Sequence, residues 1–198
     1  MLKKILSPKF IAGSIRFWLG FMLLSAGVTK LFHGNFIQLI GPPWLIEELA
    51  KYQLGLYAEF VAYSQIIIGF CLLVKRFATI GAVMAIPMFL NILMVTISQH
   101  WQGTPYVVAF LLLCNMYLLV FDFQRLKYLF IDDSILVPEG KIQRKNLQLD
   151  LLYLFGLGLI LVGVGIYRFS EPAAIIMAYL GLAWFVGVFG WQKITKKQ

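Results

Sequence analysis

The sequence predicts an all-α integral membrane protein, a bundle of spanning helices, and three observations lead to this fold class. Hydrophobic residues make up 61% of the 198 residues and charged residues only 13%, with a mean hydropathy of +0.83. A water-soluble domain of this length cannot bury so much apolar surface. Six apolar runs each approach the ~20 residues that a helix needs to cross a bilayer. No run alternates with the period of two that a membrane β-barrel strand requires.

The six predicted spanning helices form a group of four followed by a group of two. Their ranges are 11–31, 56–74, 77–98, 105–122, 150–167 and 173–190. The last two are short and rich in glycine, which allows close helix contact. A charged segment with Pro138 and Gly140 separates the groups. We therefore expect a four-helix membrane domain over 1–123, a cytoplasmic linker over 124–149, and a two-helix hairpin with a basic tail over 150–198.

The positions of lysine and arginine predict the orientation. Of the 17 such residues, Arg16 and Lys30 lie within a predicted helix, and only Lys51 and Arg168 lie in loops on the side opposite the N-terminus. The other thirteen lie at or beyond the helix ends on the N-terminal side, so the positive-inside rule places both termini in the cytoplasm. The net charge of +8 then reflects topology and contact with anionic lipids rather than nucleic-acid binding.

Two cations interrupt the first predicted helix. Arg16 and Lys30 lie ~21 Å apart along the helix axis, and a charge at the bilayer centre costs about 2.5–3.5 kcal/mol. Both could extend to the lipid head groups. Helical side chains lean toward the N-terminus, which suits Arg16, and Asp122 at the inner end of the fourth helix is its expected partner in a structural ion pair. Lys30 leans back into the membrane, so we expect an internal anionic partner for it.

Glu59 is the expected partner of Lys30. Measured from the cytoplasmic helix ends, the two residues lie at similar depth, and Glu59 is in the first turn of its helix, where the dipole favours an anion. Tyr63, one turn further on, shares its face. Amides on the second, third and fourth helices reach comparable depths: Gln65, Asn91 and Asn115. We interpret these six residues as an inward-facing polar layer, which is typical of a functional path; interhelical hydrogen bonding without chemistry is the alternative.

The remaining polar residues favour no other chemistry. His33 and His100 lie at outer helix ends, where an interfacial position is favoured over paired haem ligands. Cys71 and Cys114 lie at different depths and outside any CxxC motif, so neither a disulfide nor a thiol redox site is predicted. Pro87 is expected to kink the third helix. No metal site is predicted, and the motifs of soluble hydrolases, ATPases and dehydrogenases are missing from the sequence.

Three stretches resemble the opening helices of the DoxX family of small bacterial membrane proteins: RFWLGFMLLSAGVTKL, PPWLIEELAKYQLGLYAEFVAY and GFCLLVKRFATIGAVMA. The family pattern has Arg and Gly early in helix one, Ala-Gly and then Lys at its end, Glu early in helix two, and Gly followed by a basic residue closing helix two. The matching positions in this chain are Arg16, Gly20, Ala26, Gly27, Lys30, Glu59, Gly69 and Arg76. The resemblance covers residues 11–128.

The resemblance implies a four-helix bundle in the bacterial inner membrane, associated with quinone-linked oxidoreductases such as thiosulfate:quinone oxidoreductase. The two additional helices depart from the usual four-span member, and nothing identifies thiosulfate as a substrate. We therefore expect a membrane subunit that binds a quinone-like apolar carrier non-covalently, with Lys30 and Glu59 in the catalytic roles of donor and proton acceptor. The expected binding residues are Tyr63, Asn91, Gln65 and Asn115. A partner subunit would supply the electron.

Two other functions are retained. Relatives in the wider family also act as assembly factors, so a non-catalytic scaffold that docks a partner protein is the main alternative. A transporter or channel would require broken helices or a continuous polar lining, and the inner halves of the predicted helices are apolar. Membrane lipids and either a partner subunit or a second copy of the chain are the expected partners; nucleic acid is not.

Overall fold

The structure, a computed structural model, describes residues 7–34, 42–124, 126, 147–167 and 169–195. These ranges contain no β-strand. Their helices are α1 (Pro8–Leu31), α2 (Leu45–Ala50), α3 (Gly55–Leu73), α4 (Ala78–Ser98), α5 (Thr104–Phe121), α6 (Leu147–Ile166) and α7 (Glu171–Thr195). All except α2 are long and apolar enough to cross a membrane. The protein is therefore an all-α, multi-pass membrane protein, and the predicted fold class is confirmed.

The spanning helices begin and end close to the predicted residues; α1 and α6 each begin three residues earlier than predicted, and two differences are larger. Helix α7 runs from Glu171 to Thr195, beyond the predicted 173–190. The six-residue helix α2, which carries Glu47 and Glu48 in its first turn, was not predicted, because it is far shorter than a membrane span. Most of the predicted linker 124–149 lies outside the described residues.

The chain divides into two compact units, Met1–Asp132 and Asp133–Gln198. The boundary falls inside the predicted linker. The first unit contains α1 to α5. Its helices alternate in direction, so the C-terminus of α1, the N-terminus of α3 and the whole of α2 lie at one end, called the α2 end below. The opposite end, where α5 reaches Asp122, is called the Asp122 end.

Glycines bring α1 and α3 into close contact. A Cβ atom added to Gly27 would lie 2.5 Å from the backbone O of Ala62, and one added to Gly69 would lie 2.5 Å from the backbone N of Leu24. No real side chain tolerates such distances, so only glycine permits this helix separation. Gly20 meets the same helix, 2.9 Å from the backbone O of Gly69. The three glycines of the family pattern therefore all lie at the α1–α3 contact.

The second unit is an antiparallel pair of helices, α6 and α7. A Cβ atom on Gly163 would lie 2.9 Å from the backbone O of Ala174, and one on Gly181 would lie 2.9 Å from the backbone O of Gly156. Close to the other end of the pair, Trp184 Nε1 donates a 2.9 Å hydrogen bond to the backbone O of Leu152. Three of the glycines predicted to allow close contact, Gly156, Gly163 and Gly181, therefore do so within this hairpin. An added Cβ atom at the others would meet nothing within 4 Å: Gly158, Gly165, Gly187 and Gly190.

Candidate functional site

Lys30 is a buried cation in the last turn of α1. Its exposed fraction is 3%, and its position at the C-terminal end of the helix is favourable for a positive charge. The ammonium Nζ donates one hydrogen bond of 3.0 Å to Oε1 of Gln65 on α3, itself 5% exposed, and one of 3.2 Å to the backbone O of Ala26. Both acceptors are neutral. Because an ammonium group has three donors, these two bonds leave one donor for which the described part of the chain supplies no acceptor.

The expected ion pair between Lys30 and Glu59 is wrong. Among the described residues, the ion pairs join Arg16 to Asp122, His33 to Glu47 and Lys51 to Glu48. The side chain that accepts from Lys30 is Gln65, which lies about one and a half turns below Glu59 along α3. Depth alone favoured Glu59, but the rotation of α3 about its axis turns Gln65 toward α1.

A largely apolar cavity of about 80 Å³ adjoins Lys30. Its walls come from α1, α3, α4 and α5, and Leu45 and Leu49 of α2 help to close its end. The polar residues of the lining are Lys30, Tyr57, Gln65, Thr96, Trp101 and Thr104. An apolar cavity with a few polar groups directed into it is the usual form of a small-molecule site. The cavity is therefore the candidate functional site of the first unit.

One face of α3 lines the cavity, and the predicted catalytic carboxylate lies on another. Tyr57, Val61 and Gln65 line it, and their spacing of four places them in one row along the helix. Glu59 and Tyr63 form a second row, rotated by about 200° from the first at 3.6 residues per turn. Both are half-buried, and neither lines the cavity.

The predicted amides are also separated from one another. Asn91 is exposed on α4, whose cavity face is formed instead by residues such as Phe89 and Thr96. Asn115 is fully buried, and its Nδ2 donates a 2.8 Å hydrogen bond to the backbone O of Ala82 on α4. Of the predicted polar layer, the structure therefore brings only Lys30 and Gln65 together at the cavity, while Asn115 connects α5 to α4.

Pro87 lies within α4, and the helix continues through it. The backbone O of Ala82 that accepts from Asn115 is just over one turn before this proline. The carbonyl that loses its helical donor at Pro87 is that of Val83, the next residue along the chain. The bond from Asn115 therefore joins α5 to α4 beside that position and does not replace the missing donor.

The second cation of α1, Arg16, lies in a polar cluster near the Asp122 end. Its Nη2 forms a 2.5 Å ion pair with Oδ2 of Asp122, as the sequence predicted. The same oxygen accepts a 2.9 Å hydrogen bond from Thr79 Oγ1 on α4, and the guanidinium carbon lies 5.6 Å from the centre of the Phe121 ring. This cluster joins α1, α4 and the end of α5, and its charges cancel.

The histidines and cysteines form no site of their own in the structure. His33 Nδ1 lies 3.4 Å from Oε1 of Glu47 on α2, and His100 is exposed beyond the end of α4. Cys71 and Cys114 are both free thiols. Within the described ranges, no group of three or more histidine, cysteine or acidic residues could hold a metal ion.

Sequence reasoning missed five polar contributors to these two clusters. Tyr57, Thr96, Trp101 and Thr104 line the cavity, and Thr79 completes the Arg16 cluster. The spacing of Tyr57, Val61 and Gln65 is a signal that could have identified the cavity face of α3. Thr96 carries no comparable signal, because its role depends on how α4 is rotated. Trp101 lies in the loop after α4 and Thr104 at the start of α5, where no helical spacing marks them.

Comparisons of the chain with models of protein families, with curated proteins and with solved structures find no match. The resemblance to the DoxX family therefore stays a prediction that depends on the motif residues of α1 and α3.

Proposed function

We propose that the first unit is the membrane subunit of a quinone-linked oxidoreductase and that a quinone-like apolar carrier binds in the Lys30 cavity. The observation that supports this is the buried ammonium of Lys30, which faces an apolar cavity and has only neutral acceptors among the described residues. A ligand with an apolar ring and a carbonyl oxygen would supply the missing acceptor. A bound quinone would provide the electron-carrying chemistry, while the electrons come from a partner subunit.

In this proposal four cavity residues have defined roles. Lys30 donates a hydrogen bond to a carbonyl oxygen of the ligand, and Gln65 holds the ammonium in position through the 3.0 Å bond. Tyr57 and Trp101 provide aromatic walls. The role expected for Glu59 as proton acceptor has no geometric support, because Glu59 does not line the cavity.

The chemistry of the lining fits such a ligand, but the size of the cavity requires a movement. Its volume of about 80 Å³ is smaller than the ~300–1,000 Å³ of typical ligand pockets. A ring can bind only when part of the wall moves outward. The structure therefore corresponds to a closed form of the proposed site.

We place this unit in the bacterial inner membrane with both termini in the cytoplasm, because the lysine and arginine distribution favours that orientation. The cavity then lies in the outer half of the bilayer. A partner that reduces or oxidises the ligand would reach it most directly at the α2 end.

The test is a titration of the purified full chain, in a mild detergent, with a short-tailed benzoquinone. Lys30→Met should weaken binding by about tenfold or more, because hydrogen bonds to charged groups contribute about 1.5–3 kcal/mol. Lys51→Met, the same change at an exposed lysine, should leave the affinity unaltered. Glu59→Gln should also have little effect, whereas the expectation from the sequence alone is a large one. Equal affinity of the wild type and Lys30→Met would contradict the proposal.

A scaffold function is the second candidate, and the interhelical polar contacts favour it. Lys30 with Gln65, Asn115 with the Ala82 carbonyl, and Arg16 with Asp122 each join two helices of the first unit. If these contacts serve stability alone, no quinone binds the wild type and Lys30→Met lowers the thermal stability. Quinone binding by the wild type and the thermal stability of Lys30→Met therefore distinguish the two functions.

A further inference from the structure

A second concave surface lies on the first unit, nearer the Asp122 end than the Lys30 cavity. It is an open groove of about 810 Å³ between α1 and α5, and its lining is mostly apolar. Phe10, Phe17 and Trp18 of α1 and Phe110 of α5 line it, and all four side chains are exposed. Gly13 forms part of its floor, and a Cβ atom there would meet nothing within 4 Å.

The groove and the cavity follow one another along the same helix faces. On α1, Trp18 lines the groove and Met22, one turn further on, lines the cavity; the same row continues to Lys30. On α5, Cys114 lines the groove and Leu111, a turn earlier, lines the cavity. The two concave surfaces are therefore successive parts of one seam between α1 and α5.

This seam is also the looser side of α1. Helix α1 packs far more extensively on α3 than on α5, and the glycines that bring helices into close contact, Gly20 and Gly27, face α3. Separation of α1 from α5 disturbs less packing than separation of α1 from α3. Since the cavity must widen to admit a ring, the α1–α5 seam is the side at which widening costs least.

We propose that the ligand of the Lys30 cavity carries a long flexible apolar tail, and that this tail lies in the α1–α5 groove. The inference rests on the proposed function and extends it to the class of ligand. The distance along the α1 axis is ~18 Å from Lys30 to Trp18 and ~30 Å from Lys30 to Phe10. A quinone ring with a short side chain would leave the groove empty, whereas a polyisoprenoid tail would extend along the groove. The ligand reaches the cavity sideways from the bilayer, between α1 and α5.

The experiment compares two benzoquinones with the same ring, one with a short tail and one with a long polyisoprenoid tail, on the full chain in detergent. Gly13→Leu fills the groove from a position with open space around it, and leucine is a better helix former than glycine. It should weaken binding of the long-tailed quinone by about tenfold and leave the short-tailed quinone unaffected. Gly158→Leu on α6 is the matched control, because Gly158 also has no atom within 4 Å of an added Cβ. It should change neither affinity.

A second groove variant, Ser14→Leu, guards against an effect particular to Gly13, since Ser14 also lines the groove and is exposed. It should also weaken binding of the long-tailed quinone and leave the short-tailed quinone unaffected. Lys30→Met, in contrast, should weaken both quinones, because it acts on the ring.

Each of the other outcomes overturns the inference, and each shows whether the proposed function fails with it. If both groove variants bind the long-tailed quinone like the wild type while Lys30→Met weakens both ligands, the proposed function stands and the tail lies elsewhere. If neither quinone binds the wild type, the proposed function fails together with the inference. Lys9 also lines the groove. If Gly13→Leu and Lys9→Gln instead reduce the anionic phospholipid that co-purifies and leave quinone binding unaltered, the groove holds a phospholipid chain with its phosphate at Lys9.

Discussion

The two cations of α1 have contrasting surroundings. Arg16 forms an ion pair with Asp122, whose carboxylate also accepts from Thr79. Its Nε finds no acceptor among the described residues, but its charge is neutralised. Lys30 is more deeply buried than Arg16, yet its two acceptors are an amide and a backbone carbonyl.

The difference indicates a different role for each cation. A buried charge with only neutral partners costs stability, and ionisable groups at membrane depth usually serve a function when such a cost is retained. Arg16 is explained by its contribution to helix packing. Lys30 is explained if a ligand in the adjoining cavity provides its third acceptor.

Removal of the Asp122 carboxylate should have the largest effect on stability. Asp122→Ala leaves the Arg16 charge buried without its partner, which should lower the free energy of unfolding by about 3–5 kcal/mol. Thermal unfolding in detergent, followed by circular dichroism, measures this loss.

The control for Asp122→Ala is an exposed ion pair. Lys51 Nζ lies 2.7 Å from Glu48 Oε2, and this hydrogen bond, together with the charge of Glu48, raises the pKa of Lys51. The lysine is therefore charged at neutral pH, and the small contribution that depends on its charge disappears as the pH rises through the raised pKa. Glu48→Ala should scarcely change stability. Similar losses for both variants would mean that burial does not distinguish the two pairs.

A methyl group at the α1–α3 contact should have the next largest effect. Gly27→Ala places a Cβ atom 2.5 Å from the backbone O of Ala62, so the helices must separate, at a cost of about 1–3 kcal/mol. Because Gly27 is one turn before Lys30, the bond from Lys30 to Gln65 lengthens and quinone affinity should fall as well. Gly13→Ala, in open space, should not destabilise the protein. A Gly27→Ala protein with wild-type stability would show that the α1–α3 contact has room for a methyl group.

The smallest effect on stability should come from replacing the Lys30 contact as a whole. In the double variant Lys30→Met with Gln65→Leu, apolar side chains of similar size replace a buried charge and its amide, and stability should lie within about 1 kcal/mol of the wild type or above it. Quinone binding should nevertheless be lost. A large loss of stability would place Lys30 in the same structural class as Arg16 and remove the contrast between them.

Much of the fold and part of the site could be predicted from the sequence. Each long apolar run must become a helix in lipid, because only a helix satisfies its own backbone hydrogen bonds there, so the spanning helices and the fold class follow from hydropathy. The pair of Arg16 and Asp122 was predictable because both residues lie near helix ends and each requires an opposite charge. The short helix α2 was not predictable, because it does not cross the lipid and its backbone need not be helical for that reason.

The partner of Lys30 was decided by the tertiary structure. The sequence sets the depth of each residue, because the rise along a helix is constant. The rotation of a helix about its axis is set in soluble proteins by an apolar face, but α3 and α4 are apolar on almost every side. Their rotation instead follows from packing, such as the contacts of Gly27 and Gly69 between α1 and α3. For that reason Glu59 and Asn91 were placed at a suitable depth on the wrong faces, and Gln65 meets Lys30.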